Sequence, residues 1–233
     1  MQKHYLLLAI AVLASLVVSA TSAGFGFYKL SLVWPTSTCN TATCRDDNIP
    51  GYFTIHGLWP EFDHDTPVPP YDKANPCTLE KPLEADQIMV HLESIKNELK
   101  RMWPNLLSKD DSELWKHEWT KHGMCSDYPT EPKDYFNAAL TLAKMIDPLG
   151  MGIGFGKTKV EEILRKVHGT WGVYPEILCN TAKGPSLQLQ EIRFCYDRAK
   201  PPSELRDCPT KVRGTCKKED VIDIPAPVHV LQS

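Results

Sequence analysis

Four ionisable side chains fall within six consecutive residues of this chain: His117, Glu118, Lys121 and His122, in the run His117-Glu118-Trp119-Thr120-Lys121-His122. On a helix of about 3.6 residues per turn, His117 and Lys121 are i, i+4 neighbours and Glu118 and His122 form a second such pair on the adjoining stripe. One patch then holds two imidazoles, an ammonium and a carboxylate. A second compact signal lies upstream, Phe53-Thr54-Ile55-His56-Gly57-Leu58-Trp59-Pro60, and carries His56. Together the two segments read as a two-histidine acid/base site. Attack by a ribose 2′-hydroxyl on its own phosphodiester, without a metal, needs such a pair: one imidazole removes the 2′ proton while the other protonates the departing 5′ oxygen. A lysine can stabilise the charge that builds on the phosphorane, and a further imidazolium can hold the phosphate.

A zinc protease is the tempting misreading, since His-Glu-x-x-His on a helix presents two metal ligands one turn apart. Here Lys121 stands four residues after His117, and an ammonium cannot ligate zinc. Charged clusters on helices are usually solvated faces with weak pairs. This one is interleaved with Trp115 and Trp119 and followed by Gly123 and Cys125, so it is expected to be half buried and anchored.

The elements that must position these groups follow from periodicity. Phe25 to Val33 reads as a strand ending at Trp34-Pro35, and Tyr52 to Leu58 as a second strand with His56 near its end. Ile88, Leu92, Ile95, Leu99 and Met102 predict one helix over Glu84 to Met102, stopped by Trp103-Pro104. Ser112 to Lys121 is the motif helix. Lys133 to Ile146 is a further helix, entered through Pro132 and ended before Pro148. Thr158 followed by Glu161 suggests a capping box at the head of a helix reaching Val167. Gln188 to Tyr196 alternates like a strand. This mixture, without regular βα repetition, predicts an α+β fold. His168, Trp171 and His229 have no partner pattern and are left as structural or surface residues.

Residues 1–23 read as a secretory signal, with Lys3 and His4 ahead of the apolar run Tyr5 to Val18 and small residues ending at Ala23. The apolar run is short for a membrane span. Residues 24–233 are enough for a single domain with a sizeable core. Its eight cysteines, Cys39, Cys44, Cys77, Cys125, Cys179, Cys195, Cys208 and Cys216, argue for four disulfides in a secreted chain, with the pairing left open. The full chain has 26 Lys and Arg, 29 Asp and Glu and 8 His; without Lys3 and His4 it is formally −4 with neutral histidines and +3 with all of them charged. A polyanion is thus repelled overall at neutral pH and attracted in an acidic compartment, and binding in the manner of a basic DNA-binding domain is disfavoured.

The two motif segments, the second extended as Trp115-Lys116-His117-Glu118-Trp119-Thr120-Lys121-His122-Gly123-Met124-Cys125, closely resemble the active-site segments of the ribonuclease T2 family, and the likeness runs from about Phe25 to Cys216. It is strongest to plant secreted members. The resemblance implies a T2-like fold with an antiparallel sheet packed with several helices. It implies a secreted or vacuolar endoribonuclease acting on single-stranded RNA through a 2′,3′-cyclic phosphate, working as a monomer, with no cofactor, no metal and no membrane partner after signal removal.

Carried over residue by residue, the resemblance makes His56 the acid and His122 the base, His117 a phosphate ligand, Glu118 and Lys121 the transition-state pair, and Trp59 a base-stacking wall. It pairs Cys39 with Cys44, Cys77 with Cys125, Cys179 with Cys216 and Cys195 with Cys208. Arg45 stands where many plant relatives carry one cysteine of a further pair, and no cysteine lies near Leu107. Val33 replaces the usual Gln and Leu114 the usual Phe at base-lining positions, while Met124 replaces a Thr; Asn105, Leu106 and Leu107 are further candidates for base contact. Both motifs keep every histidine, which disfavours an inactive storage or binding protein. Pistil self-incompatibility ribonucleases share the chemistry but are typically basic and N-glycosylated; this chain is mildly acidic and has no Asn-x-Ser/Thr sequon, which favours an S-like role in nutrient recycling or defence.

Overall fold

The computed structural model describes residues 24–45, 49–182, 184 and 186–227. The expected signal at 1–23 and His229 lie outside the described residues.

Strand β1 (Phe27–Val33) is buried along its whole length. Its two faces differ. Tyr28, Leu30 and Leu32 join the main apolar core, while Lys29 and Ser31 point to the other side of the sheet, where they bond to carboxylates. On its two flanks β1 pairs antiparallel with β2 (Thr54–Phe62) and β6 (Leu187–Asp197). The sheet extends outward through β3 (Thr66–Pro67) on β2, and through β5 (Glu176–Thr181) and β8 (Val212–Gly214) on the other flank. Strands β7 (Leu205–Arg206) and β9 (Val221–Ile224) also pair with β6, and β4 (Gly156–Lys159) pairs with β9. The long pairings are antiparallel; β5 with β8 and β6 with β9 are short parallel ones.

Helices cover the apolar face. After α1 (Pro35–Cys39), the region expected as one helix over Glu84–Met102 is in segments: a 3-10 turn at Ala85–Gln87, α2 (Ile88–Leu92), a second 3-10 turn at Glu93–Ile95, then α3 (Lys96–Met102). Ile88, Leu92 and Leu99 are buried as their spacing requires, but the path between them is tightened twice. The motif helix α4 (Asp111–Lys121) begins where Asp110 accepts the Ser112 backbone N–H, a side-chain N-cap. Helix α5 (Pro132–Met145) lays Tyr135, Phe136, Ala139 and Leu140 into the core, and the Tyr135 hydroxyl donates to the Leu58 carbonyl at 2.7 Å. Helix α6 (Val160–Trp171) follows β4.

The capping box expected at Thr158 is not formed. Thr158 is a strand residue opposite Ile222, and the helix starts two residues later with no side-chain cap. Its first N–H groups are met by the Asp220 and Lys218 carbonyls instead, so the β4–β9 pairing takes the role a cap would have had. His168 stacks on Tyr174, and the Trp171 indole donates to the Met151 sulfur, both away from the motif residues.

Trp34, Trp103, Trp115 and Trp119 are fully buried. Each indole N–H donates to a backbone carbonyl, which removes the cost of an unpaired buried donor. Two of these bonds form a strut: Trp115 of α4 donates to the Trp103 carbonyl, and Trp103 donates to the His56 carbonyl, each at 2.8 Å. Disulfides join Cys39 to Cys44, Cys77 to Cys125, Cys179 to Cys216 and Cys195 to Cys208. The second ties the turn after α4 to the proline-rich segment, and so closes the motif helix from its C-terminal end.

Candidate active site

His56 occupies a β-bulge. Ser31 faces Gly57 and Leu32 faces Ile55, so His56 is the extra residue of β2 with no opposite number on β1. The bulge switches the phase of the strand, which lets Ile55 and Leu58 both reach the core. The Trp103 indole satisfies the His56 carbonyl. The imidazole projects from the sheet with 42 % of its side chain exposed.

Its Nδ1 lies 2.8 Å from Glu191 Oε1. Glu191, on β6, is 2 % exposed. Burial alone would raise its pKa, but the His56 hydrogen bond, the His56 and Arg193 charges and the Ser31 hydroxyl hold it down to about 2. An ionised carboxylate only accepts, so a hydrogen bond across this contact requires a proton on His56 Nδ1. Partial burial of the ring works to lower the His56 pKa; the Glu191 bond and charge outweigh it, with help from Glu118 and against Arg193, and the net shift is upward. His56 is therefore biased toward imidazolium.

His122 is biased the opposite way. It caps α4, its backbone N–H bonded to the Glu118 carbonyl at 2.9 Å, and its buried Nδ1 has no partner among the described residues. Burial first, then the positive charges of His56, His117 and Lys121, lower its pKa to about 3. His117 and Lys121 sit exposed on the same helix, one turn apart as expected. The His117 pKa is also lowered, by burial, then Lys121, then His56.

Trp59 and Glu118 stand between the two imidazoles. The Trp59 ring meets His56 edge-on at 5.2 Å and leans over His122 at 5.4 Å, with the Arg193 guanidinium 4.9 Å from its centroid. Its indole N–H donates to Glu118 Oε2 at 3.0 Å. Trp59 is 8 % exposed and held in place by these contacts. Glu118 is buried, which pushes its carboxyl up to about 7 against the opposing influence of His56 and Trp59. Gly57 makes this packing possible: a Cβ there would lie well inside contact distance of Trp59 Nε1 and the Glu118 carboxylate.

Beside His56 opens a cavity of about 210 Å³. Val33, Asn105, Leu106, Leu107 and Leu114, five of the six candidates for base contact, line it together with Ile55, Pro104, Gln190 and Glu191, whereas the sixth, Trp59, does not. Its wall is mainly apolar. The Asn105 side chain is committed to its own loop: Oδ1 accepts the Leu107 and Ser108 N–H groups and Nδ2 donates to the Asp110 carbonyl.

Glu191 and Arg193 were not among the residues singled out by sequence, although the strand carrying them was. The signal was present: Lys29 and Ser31 on β1, and Glu191 and Arg193 on β6, are charged or polar residues repeating at the strand period of two, and buried polar groups need partners.

A sheet-borne imidazole biased to hold a proton, facing a helix-borne imidazole biased to lack one across a buried carboxyl, defines an α+β enzyme of the paired-histidine acid/base class. The chain belongs to the Ribonuclease T2 family, whose model matches residues 25–208, and it is a T2-type endoribonuclease. It is 32 % identical to Ribonuclease 1 of Arabidopsis thaliana over 94 % of this chain and 96 % of that one. It is 31 % identical to Ribonuclease S-2 of Nicotiana alata over 86 % and 88 % of the two chains. Among solved structures, human RNase T2 superposes with a TM-score of 0.66 at 25 % identity, covering 87 % of this chain and 100 % of that one. RNase NT in complex with 5′-AMP gives 0.68 at 26 % identity, covering 87 % and 98 %. Among the described residues no helix is long and apolar enough to cross a membrane.

Proposed function

We propose that this endoribonuclease cleaves single-stranded RNA by transesterification, with His122 taking the 2′ proton and His56 protonating the leaving 5′ oxygen. One observation carries the assignment: the two imidazoles are driven apart in pKa, His56 upward beside Glu191 and His122 down to about 3 among cations. Between those limits the enzyme rests with a charged acid and a neutral base, the state the first step consumes. Lys121 supplies positive charge where the phosphate must sit, and His117 a ring N–H donor beside it. Glu118, with its carboxyl near 7, is largely protonated at mildly acidic pH, so it can face the phosphorane without repelling it. The 2′,3′-cyclic phosphate formed is then hydrolysed with the histidine roles exchanged.

The cavity beside the acid His56 receives the base of the departing nucleoside, and its apolar wall supports broad acceptance at that position. The leader-like residues 1–23 and the paired cysteines support secretion or delivery to a vacuole, with residues 24–233 as one catalytic domain acting as a monomer. The mild acidity and the missing sequon support an S-like role in nutrient recycling or defence. The test is cleavage of a dinucleoside monophosphate at pH 5, followed by phosphorus NMR, with and without EDTA. A transient cyclic phosphate with EDTA present is expected. Direct formation of a linear monophosphate, or loss of activity restored by zinc, would overturn the mechanism.

A further inference from the structure

The polar face of the sheet holds charges that the two motifs do not include. Arg193 donates from Nε to Glu191 Oε2 at 2.8 Å, lies 2.7 Å from that carboxylate through its second terminal nitrogen, and reaches Glu176 Oε1 at 2.6 Å through NH1. Ser31 donates to Glu191 Oε2 at 2.8 Å. Lys29 bridges Glu176 and Asp65 at 3.1 and 2.7 Å. Lys29, Ser31, Glu176 and Glu191 are all buried. Replacing buried ion pairs by apolar residues is often neutral or stabilising, so a chain of this kind is poorly explained by stability alone. At its cleft end the row stops on a single half-open group, His56.

Resting on the ribonuclease reading, we propose that Glu191 is the positioning residue of the general acid: its carboxylate, clamped by Ser31 and Arg193, fixes His56 in the Nδ1–H tautomer and leaves Nε2 as the nitrogen that delivers the proton to the leaving 5′ oxygen. The geometry meets each requirement. One Glu191 oxygen belongs to His56 and the other to Ser31 and Arg193, so the carboxylate cannot swing without breaking the clamp. The Trp103 bond to the His56 carbonyl holds the backbone while Glu191 holds the ring. The titratable and charged groups facing His56 come from two elements, Glu191 and Arg193 on β6, and His117 and Glu118 on α4 with His122 at its C-cap. Glu191 is the one carboxylate among them bonded to the ring.

The experiment compares two substrates that differ in their need for an acid: a dinucleoside monophosphate, whose leaving alkoxide must be protonated, and a 4-nitrophenyl ester of uridine 3′-phosphate, whose leaving phenolate need not be. E191A is expected to lose about 10- to 100-fold in kcat on the first, by analogy with the carboxylates that orient metal-bound histidines. It should lose several-fold less on the second, and H56A should show the same contrast. E191Q, which preserves shape and removes charge, should move the alkaline limb of the pH profile to lower pH, because His56 then releases its proton earlier; the acid limb, set by His122, should stay. Nitrogen NMR of the wild-type protein supplies a reading that needs no variant to fold, and neutral His56 should carry its proton on Nδ1. Equal losses on both esters, an unmoved alkaline limb, or an Nε2–H tautomer would each overturn the proposal. A wild-type protein inert towards both esters would remove the ribonuclease reading and this proposal with it.

Discussion

Gly57→Ala adds one methyl group at the point where the site is most tightly closed. That methyl would lie well within contact distance of Trp59 Nε1 and Glu118 Oε2, and 2.8 Å from Trp59 Cε2, so both side chains must move. Losing the Trp59–Glu118 bond costs about 1 kcal/mol net, and forcing the methyl into packed surroundings about 1–3 kcal/mol more. Together these predict a loss of about 2–4 kcal/mol, or roughly 5 to 15 °C in Tm for a domain of this size. Activity should fall further than stability implies, since Trp59 separates the two imidazoles and a shift of about 1 Å in such a constellation costs on the order of 10²-fold.

The assay pairs kcat/KM on a dinucleoside monophosphate at pH 5 with thermal unfolding followed by circular dichroism. Gly172→Ala is the control. That residue ends α6 at φ 72° with no atom near its missing Cβ, so it should lose about 1–2 kcal/mol from backbone strain and no activity. A Gly57→Ala protein with wild-type kcat/KM and a Tm no lower than the control would refute the idea that this glycine is required by the Trp59–Glu118 contact.

The pH dependence of kcat/KM should be a bell. Its acid limb lies near 3, where His122 gains a proton and ceases to be a base; its alkaline limb lies above the ordinary 6.5, where His56 finally releases its proton. A rate still rising at pH 9 would contradict it. His56→Ala and His122→Ala should each remove about 10²–10⁴-fold from kcat, and the double variant little more, because both act in one proton-transfer sequence. A correctly folded single variant with near wild-type turnover on dinucleotide and cyclic phosphate would strike that histidine from the mechanism. Val33→Gln places an amide in the wall beside His56 and should change the relative rates among dinucleotides differing in the leaving nucleoside, leaving cyclic-phosphate hydrolysis as it was. Unchanged ratios would separate Val33 from base selection.

Legibility varied with the strength of local signals. The motif helix was readable almost to the residue because its polar start and its tryptophan spacing agree, β1 and β6 from their alternation, and β2 from its aromatic and β-branched content, although it runs Thr54–Phe62 rather than Tyr52 to Leu58. Strands β4, β5, β8 and β9 escaped: they are short, and β4 is Gly156-Lys157-Thr158-Lys159, with no apolar face to betray it. Thr158 misled for the same reason, since its suitability as a cap is local whereas its partner Ile222 is far along the chain. The histidines and their neighbours could be named from sequence, and all of them converge. What sequence could not convey was the difference between the two imidazoles. That difference arises from Glu191, more than a hundred residues from His56, and from a bulge that only strand pairing can reveal.

The bulge has a further consequence for how this enzyme can change. Ile55 and Gly57 already stand opposite Leu32 and Ser31, as they would in a strand with no interruption. A chain one residue shorter here would pair β1 with β2 without interruption, at the cost of the carbonyl that accepts the Trp103 indole, and it would be a silent enzyme. The imidazole of His56 is thus a guest in the strand: neither the ladder nor the apolar core uses the ring, only the carbonyl behind it. Selection can therefore retune or discard the acid while the scaffold stays standing, and inactive descendants of such a protein are expected to keep their fold long after they have lost their chemistry.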